Sequence, residues 1–206
     1  MSLKVLGIST SPRANGNSDR LLRQALAGAE AAGAQVEYVR LSDFKIGPCT
    51  ECDGCYATGI CVLRDDYERI LSKMLDADRL IFATPVFFMS VCAQAKILID
   101  RGQCLWAAKY LLKKTIAPKR PDRSAMVIAL GGSKSKRMFE SVRLTMKSYF
   151  DSLHVRYAAN LFVNRVDNCG EIEQHAEAMK QAFRLGKELA AADTPATREP
   201  VDVELT

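Results

Sequence analysis

Five short apolar runs, at 4–8, 36–41, 80–83, 124–130 and 155–163, alternate along this chain with stretches whose apolar residues recur at helical spacing. In the first such stretch Leu21, Leu22, Ala25, Leu26 and Ala29 mark a helix that starts near Asn17 or Ser18 and runs to Gly33. Further helices are expected from 65 or 66 through Leu75, over 91–108, over 138–153 and over 171–192. Strands that read as near-continuous apolar runs are buried on both faces, so the alternation predicts a doubly wound parallel α/β sheet with helices on both sides. With 206 residues, 48% of them hydrophobic, the chain can bury such a core as one domain. The domain is expected over 1–192. The segment 193–206, with two prolines, few apolar residues and several charges, reads as a mobile tail.

Ligands of such sheets sit outside the carboxyl ends of the strands. Three unusual loops fall there. The first, after strand 1, contains Ser9, Ser11, Arg13, Asn17 and Ser18 and leads into a helix N-terminus. Free N–H groups, the helix dipole and hydroxyls together make an anion site, although Ser and Asn also serve simply as helix caps. No G-K-[ST] ending and no G-x-G-x-x-G pattern is present, so a single terminal phosphate, as in FMN, suits this loop better than a dinucleotide. The second loop, Pro85, Val86, Phe87, Phe88 and Met89, is either ordinary core or the apolar wall of a planar ring site. The third begins with Gly131 and Gly132.

A fourth loop, after strand 2, holds Cys49, Cys52, Cys55 and Cys61, four of the seven cysteines, spaced x2, x2, x5. Three cysteines this close fit poorly around one tetrahedral ion and better around a cubane whose iron corners are separated. Zinc and empty thiols are the remaining readings; disulfides would need an oxidising compartment. The start of the chain has no basic segment followed by a long apolar run, and no stretch is long enough to cross a membrane, so a cytoplasmic protein is expected. Cys92, Cys104 and Cys169 read as isolated, buried free thiols, and His154 and His175 as residues without a role. The net charge of +5 is concentrated at 109–123 and 134–137. With little aromatic interleaving the first group reads as a solvated face rather than a nucleic-acid site, and the positive field could instead attract an anionic cofactor or an acidic electron-transfer partner.

The 7–17 loop, the 49–61 cysteine loop and the pairing of Pro85-Val-Phe-Phe with Ala93-Gln-Ala-Lys-Ile-Leu-Ile-Asp-Arg101 resemble the iron–sulfur flavoproteins, a branch of the NADPH-dependent FMN reductase group. The resemblance spans 4 to about 190 and implies a flavodoxin-like sheet of five strands in the order 2-1-3-4-5. It implies FMN, with Ser9, Ser11, Arg13, Asn17 and Ser18 on the phosphate, Pro85, Val86, Phe87 and Phe88 along the ribityl chain and ring, and Gly131 and Gly132 on its other side. It further implies a [4Fe–4S] cluster on Cys49, Cys52, Cys55 and Cys61, and a homo-oligomeric dimer or tetramer with one copy's cluster near a neighbour's flavin.

The function expected is electron transfer between a one-electron, ferredoxin-like donor and a small acceptor, with no side chain acting as acid or base. One alternative is an NAD(P)H-dependent FMN or quinone reductase whose cluster is structural. Another is a zinc-binding or redox-sensing module that docks a partner through its basic segment.

Overall fold

The expected alternation folds into seven strands and six α-helices in the computed structural model, which describes residues 2–191 and 199–206. In chain order these are β1 (Lys4–Ser9), α1 (Asn17–Ala31), β2 (Gln35–Arg40), α2 (Tyr67–Asp76), β3 (Arg79–Phe87), β4 (Ser90–Val91), α3 (Ala93–Arg101), α4 (Gln103–Trp106), β5 (Ser124–Gly131), α5 (Glu140–Ser152), β6 (Arg156–Asn164), α6 (Ala176–Ala190) and β7 (Val201–Leu205). The sheet order is β2-β1-β3-β5-β6-β7, with β4 paired to β3. The five expected strands therefore keep their 2-1-3-4-5 order, all parallel: Gly7 sits between Tyr38 and Ile81, and Phe82 faces Val127.

Two strands go beyond the expected five. β4 is the two-residue return of a hairpin, antiparallel to the end of β3, too short to have a readable period. β7 corrects the reading of 193–206 as a mobile tail. Residues 201–205 add a parallel edge strand to β6, while 193–198 lie outside the described residues. Arg143 of α5 pairs with both Asp202 and Glu204, and Asn160 donates to Asp202 at 2.6 Å. The helix expected over 91–108 is broken at Gly102 into α3 and α4, and α4 runs into a π-turn at Ala107–Leu111.

Helices cover both faces. Leu21, Leu22 and Ala25 of α1 pack with Ala182, Leu185 and Leu189 of α6 on one side. Ile70 and Met74 of α2, Leu98 of α3, and Val142, Met146 and Phe150 of α5 pack on the other. Each fully buried Leu, Ile or Phe contributes roughly 1.5–3 kcal/mol. The α1–α6 contact is close enough to require glycine: a Cβ on Gly28 would lie 2.0 Å from the Phe183 carbonyl oxygen, and one on Gly186 would lie 1.9 Å from that of Ala25.

At the amino edge the buried Arg123 donates to the carbonyls of Ala77 (3.1 Å), Leu153 (2.8 Å) and Met74, closing the ends of α2 and α5. Burial pushes its pKa down to about 10. Much of the basic segment is consumed in this way. Lys109 pairs with Asp151 at 3.0 Å, and Arg120 pairs with Asp76 at 2.9 Å and with Asp78 at 2.5 Å.

Candidate functional site

Two cavities open at the carboxyl edge of the sheet. The first, of about 140 Å³, is lined by Ser11, Arg13, Asn17 and Ser18 of the loop leading into α1, by Pro85, Val86 and Phe87 at the end of β3, and by Gly131 and Gly132 after β5. Most of the residues expected around a flavin phosphate and ring thus share one hollow. Its volume is small against the roughly 300–1000 Å³ typical of ligand pockets, so it suits the phosphate end of a nucleotide with the remainder on the open rim.

The start of α1 has Gly16 as its N-cap and no side-chain cap. Its first-turn N–H groups are therefore not satisfied by a capping side chain, which favours an anion site over a closed cap. A Cβ at Gly16 would lie 3.1 Å from Ser11 Oγ, so the loop has little room for a side chain there. Ser11 Oγ accepts from Arg13 N at 3.1 Å, shaping the turn, and exposed Arg13 has no carboxylate partner among the described residues. Behind the loop, the buried Cys92 thiol donates to the Thr10 carbonyl at 3.1 Å, and Cys92 N donates to Thr84 Oγ1 at 3.3 Å. Cys92 thereby ties the loop after β1 to the end of β3.

Three expected ligands stand elsewhere or are otherwise engaged. Ser9 is the last residue of β1, fully buried, and does not line the cavity. Strand alternation puts it on the Val5 face, which α1 covers. Asn17 lines the cavity, but its side chain clasps the loop after β6, donating to the Asn168 carbonyl at 2.8 Å and accepting from Gly170 N at 2.9 Å. Phe88 is fully exposed and also off the cavity. With Met89 it forms the tip of the β3–β4 hairpin, at φ 48° and 63°. Two left-handed central residues match the twist of a two-residue hairpin, here without the usual Asn or Gly.

The clasped loop was not expected at the site. Val166, Asp167 and Cys169 complete the cavity wall. Glu171 holds this loop by accepting from the N–H groups of Asp167 (2.9 Å) and Asn168 (2.8 Å), which also draw its carboxyl pKa below the ordinary range. Cys169 is exposed, contrary to its reading as a buried thiol.

The second cavity, of about 280 Å³, is lined by Cys49, Cys52, Cys55 and Cys61, together with Arg101 and Cys104. All five cysteines are free thiols. Glu51, Asp53 and Gly59 adopt φ of 53°, 55° and 74° and reverse the backbone between successive cysteines. Burial, then the charges that Cys104, Cys61 and Cys49 would bear, push the Cys55 thiol up; the Gly54 N–H draws the exposed Cys52 thiol down. Among the described residues no three His, Cys, Asp or Glu groups converge as a single ion requires. The thiols instead surround a space. A buried guanidinium stands beside these thiols.

That guanidinium belongs to Arg101, which is 1% exposed. It donates to Asp65 Oδ2 at 2.6 Å, to the Gly47 carbonyl at 3.0 Å and to the Leu63 carbonyl at 3.5 Å, and lies 4.6 Å over the Tyr67 ring. Asp65 also accepts from Gly47 N and Tyr67 N, each at 2.9 Å. Both ends of the cysteine loop are thus drawn to one buried ion pair. Burial acts to raise the Asp65 pKa, but the guanidinium and the two N–H groups outweigh it and hold the carboxyl below its usual range. Cys104, read from sequence as isolated, is the fifth thiol of this cavity, and it lies 3.5 Å from Tyr67 Oη. The two cavities share no lining residue.

No described helix is long and apolar enough to cross a membrane.

The family described as NADPH-dependent FMN reductase matches residues 3–166. An iron–sulfur flavoprotein of Archaeoglobus fulgidus is 32% identical over 204 residues, covering 98% of this chain and 86% of that protein. An iron–sulfur flavoprotein of Methanocaldococcus jannaschii is 43% identical over 103 residues, which is 50% of this chain and 53%, about half, of that protein. Among solved structures, an NAD(P)H:quinone oxidoreductase from Methanothermobacter marburgensis superposes with a TM-score of 0.72 at 18% identity, covering 97% of this chain and 100% of that one. That likeness is one of fold.

Proposed function

Because the chain belongs to the NADPH-dependent FMN reductase family of flavin-dependent oxidoreductases, and within it to the iron–sulfur flavoproteins, we propose that it transfers electrons through FMN and a [4Fe–4S] cluster. The observation behind this reading is the pair of cavities on one sheet edge, one at an uncapped helix start and one walled by four free thiols. When bound, a flavin exchanges electrons in pairs or singly and an iron–sulfur cluster exchanges them singly, which joins one-electron donors to two-electron acceptors.

The chain's own residues bind and orient. Ser11, Arg13, Ser18 and the first-turn N–H groups of α1 hold the FMN phosphate, while Pro85, Val86, Phe87, Gly131 and Gly132 line the ring side. Asn17 holds the wall loop in place. Cys49, Cys52, Cys55 and Cys61 hold the cluster. The physiological donor is a one-electron carrier of the ferredoxin type and the acceptor a small molecule. Tyr56, Trp106 and Tyr110, partly exposed with ring centroids 6.2 and 6.0 Å apart, offer the donor an apolar contact beside the cysteine loop. In keeping with the resemblance to the iron–sulfur flavoproteins, the reading includes a homo-oligomer in which the cluster of one copy meets the flavin of another.

Protein purified without oxygen tests this directly. Flavin bands on a broad shoulder that bleaches with dithionite, with iron and sulfide near four per chain, are expected (about four of each is what a cubane requires). Flavin without iron would reduce the protein to a reductase with an unfilled cysteine loop. The family match supports a second reading, an NAD(P)H-dependent quinone or FMN reductase with a structural cluster. Anaerobic stopped-flow mixing with NADPH separates the two. Rapid flavin bleaching at physiological NADPH would favour the second.

A further inference from the structure

Arg101 is more than a clasp for the cysteine loop. Its two terminal nitrogens are occupied by Asp65 and by the carbonyls of Gly47 and Leu63. Its Nε is buried and has no hydrogen-bond partner among the described residues. A buried donor left unpaired costs about 1–3 kcal/mol, and such groups in a native fold call for an explanation. Arg101 lines the cavity of the four cysteines, and Cys61 is among the groups that act on its guanidinium. The side chain is held from three sides in a fixed orientation, so the free N–H and the positive charge cannot swing away.

We infer that Arg101 is a positioning residue that sets the reduction potential of the group held by Cys49, Cys52, Cys55 and Cys61, with its Nε as donor to a cluster or Cys61 sulfur. The inference rests on the reading of that cavity as a cluster site. One-electron reduction makes a thiolate-ligated cluster more negative by one charge. A fixed cation in a water-poor setting stabilises that reduced state, with less screening than at the surface, and hydrogen bonds to sulfur act in the same direction. Asp65 opposes the effect. Its carboxylate accepts from the same guanidinium at 2.6 Å and partly neutralises it. The pair therefore works as a setting with two opposed charges, and removing either one should move the potential in opposite directions. Loop clamping alone predicts no such opposition.

The test is an anaerobic potentiometric titration, followed by low-temperature EPR of the reduced cluster, on full-length wild type, Arg101→Gln, Arg101→Lys and Asp65→Asn, each with iron, sulfide and FMN quantified. In Arg101→Gln the equilibrium constant for cluster reduction should fall at least tenfold, about 59 mV for one electron. Arg101→Lys, which keeps the charge without the Nε donor, should recover part of that loss. In Asp65→Asn the potential should rise. An unchanged potential in Arg101→Gln at full iron and sulfide would overturn the inference, as would Asp65→Asn shifting downwards. Should Arg101→Gln lose its cluster, the sign of the Asp65→Asn shift decides. Loss of the cluster from both would overturn the tuning role and leave the pair a structural clasp. Wild-type protein without iron and sulfide after anaerobic reconstitution would instead remove the reading on which the inference rests.

Discussion

The two loops at the carboxyl edge are each tied by one carboxylate, and the two carboxylates sit in different settings. Asp65 gathers two backbone N–H groups and the buried Arg101, with its own side chain 20% exposed. Glu171, likewise half-buried, gathers two backbone N–H groups without a buried guanidinium beside it among the described residues. In the cysteine loop the tie places charge beside the cavity, in surroundings where charge is poorly screened. In the wall of the proposed flavin cavity it only holds the chain. The same device, a carboxylate accepting two backbone N–H groups, thus serves electrostatics in one loop and geometry in the other.

The largest effect should come from the ligands themselves. Cys55→Ser should reduce iron and sulfide to background while FMN remains bound, since no cysteine of the first cavity's wall takes part in the second. A full cluster spectrum in that variant would refute the ligand assignment. Cys104→Ala sharpens the same point: Cys104 lines the cavity but stands outside the x2, x2, x5 set, so iron and sulfide should stay complete.

Asp65→Ala should follow in size. It strips two N–H groups of their acceptor and leaves the buried Arg101 charge unpaired. Breaking a buried pair costs about 3 kcal/mol at the lower end of such measurements, and the lower end fits a carboxylate in partial contact with solvent. For a chain of this length that is a fall in Tm of roughly 6–12 °C, readable by thermal unfolding monitored by circular dichroism. Replacing Glu171 by Ala should leave Tm almost unmoved. Equal losses in the two variants would erase the contrast between the loops.

Arg13→Ala addresses the flavin side. An exposed guanidinium with no carboxylate partner, next to an uncapped helix start, should strengthen phosphate binding. Its removal should weaken FMN binding about tenfold, a difference of about 1.4 kcal/mol, with riboflavin, which lacks the phosphate, much less affected. Fluorescence titration of apoprotein with both flavins measures this. Equal weakening for the two would detach Arg13 from the phosphate.

Much of this architecture is legible in the chain because its signals are local. The apolar runs locate five strands, and the cysteine spacing marks the second cavity from neighbouring residues alone. The parts that are not legible depend on contacts across long separations. Arg101 meets Asp65 across 36 residues and Gly47 across 54, and nothing in the periodicity of α3 distinguishes it from a surface arginine. Cys104 looks isolated in sequence because the break at Gly102 and the turn into α4 bring it to the cavity. The wall at 166–170 is positioned by Asn17, more than 150 residues earlier than Gly170, so a side chain that reads as a phosphate ligand is spent on the loop opposite. Residues 201–205 alternate Val, Asp, Val, Glu, Leu, a strand period that the neighbouring charges and Pro200 obscure; Arg143 and the open edge of β6 make it a strand.

The smallest predicted effect concerns pH and the Glu171 tie. The Asp167 and Asn168 N–H groups hold the Glu171 carboxyl pKa below its ordinary value in the folded chain. A depressed folded pKa means that the ionised form is the one stabilised. The contribution is therefore complete above the unfolded value, about 4.3, and is lost as pH falls through the lowered folded value. Glu171→Gln keeps a side-chain acceptor but no charge. At pH 7 it should bind FMN a few-fold more weakly than wild type, since the cavity wall at 167–169 loosens. The two dissociation constants should converge only as pH falls past the ordinary carboxylate range and through the lowered folded value, where wild-type Glu171 takes up its proton. A ratio that stays constant from pH 7 down to the lowest pH at which the fold persists would mean that the charge of Glu171 does not hold the wall, and the two loops would then differ in kind.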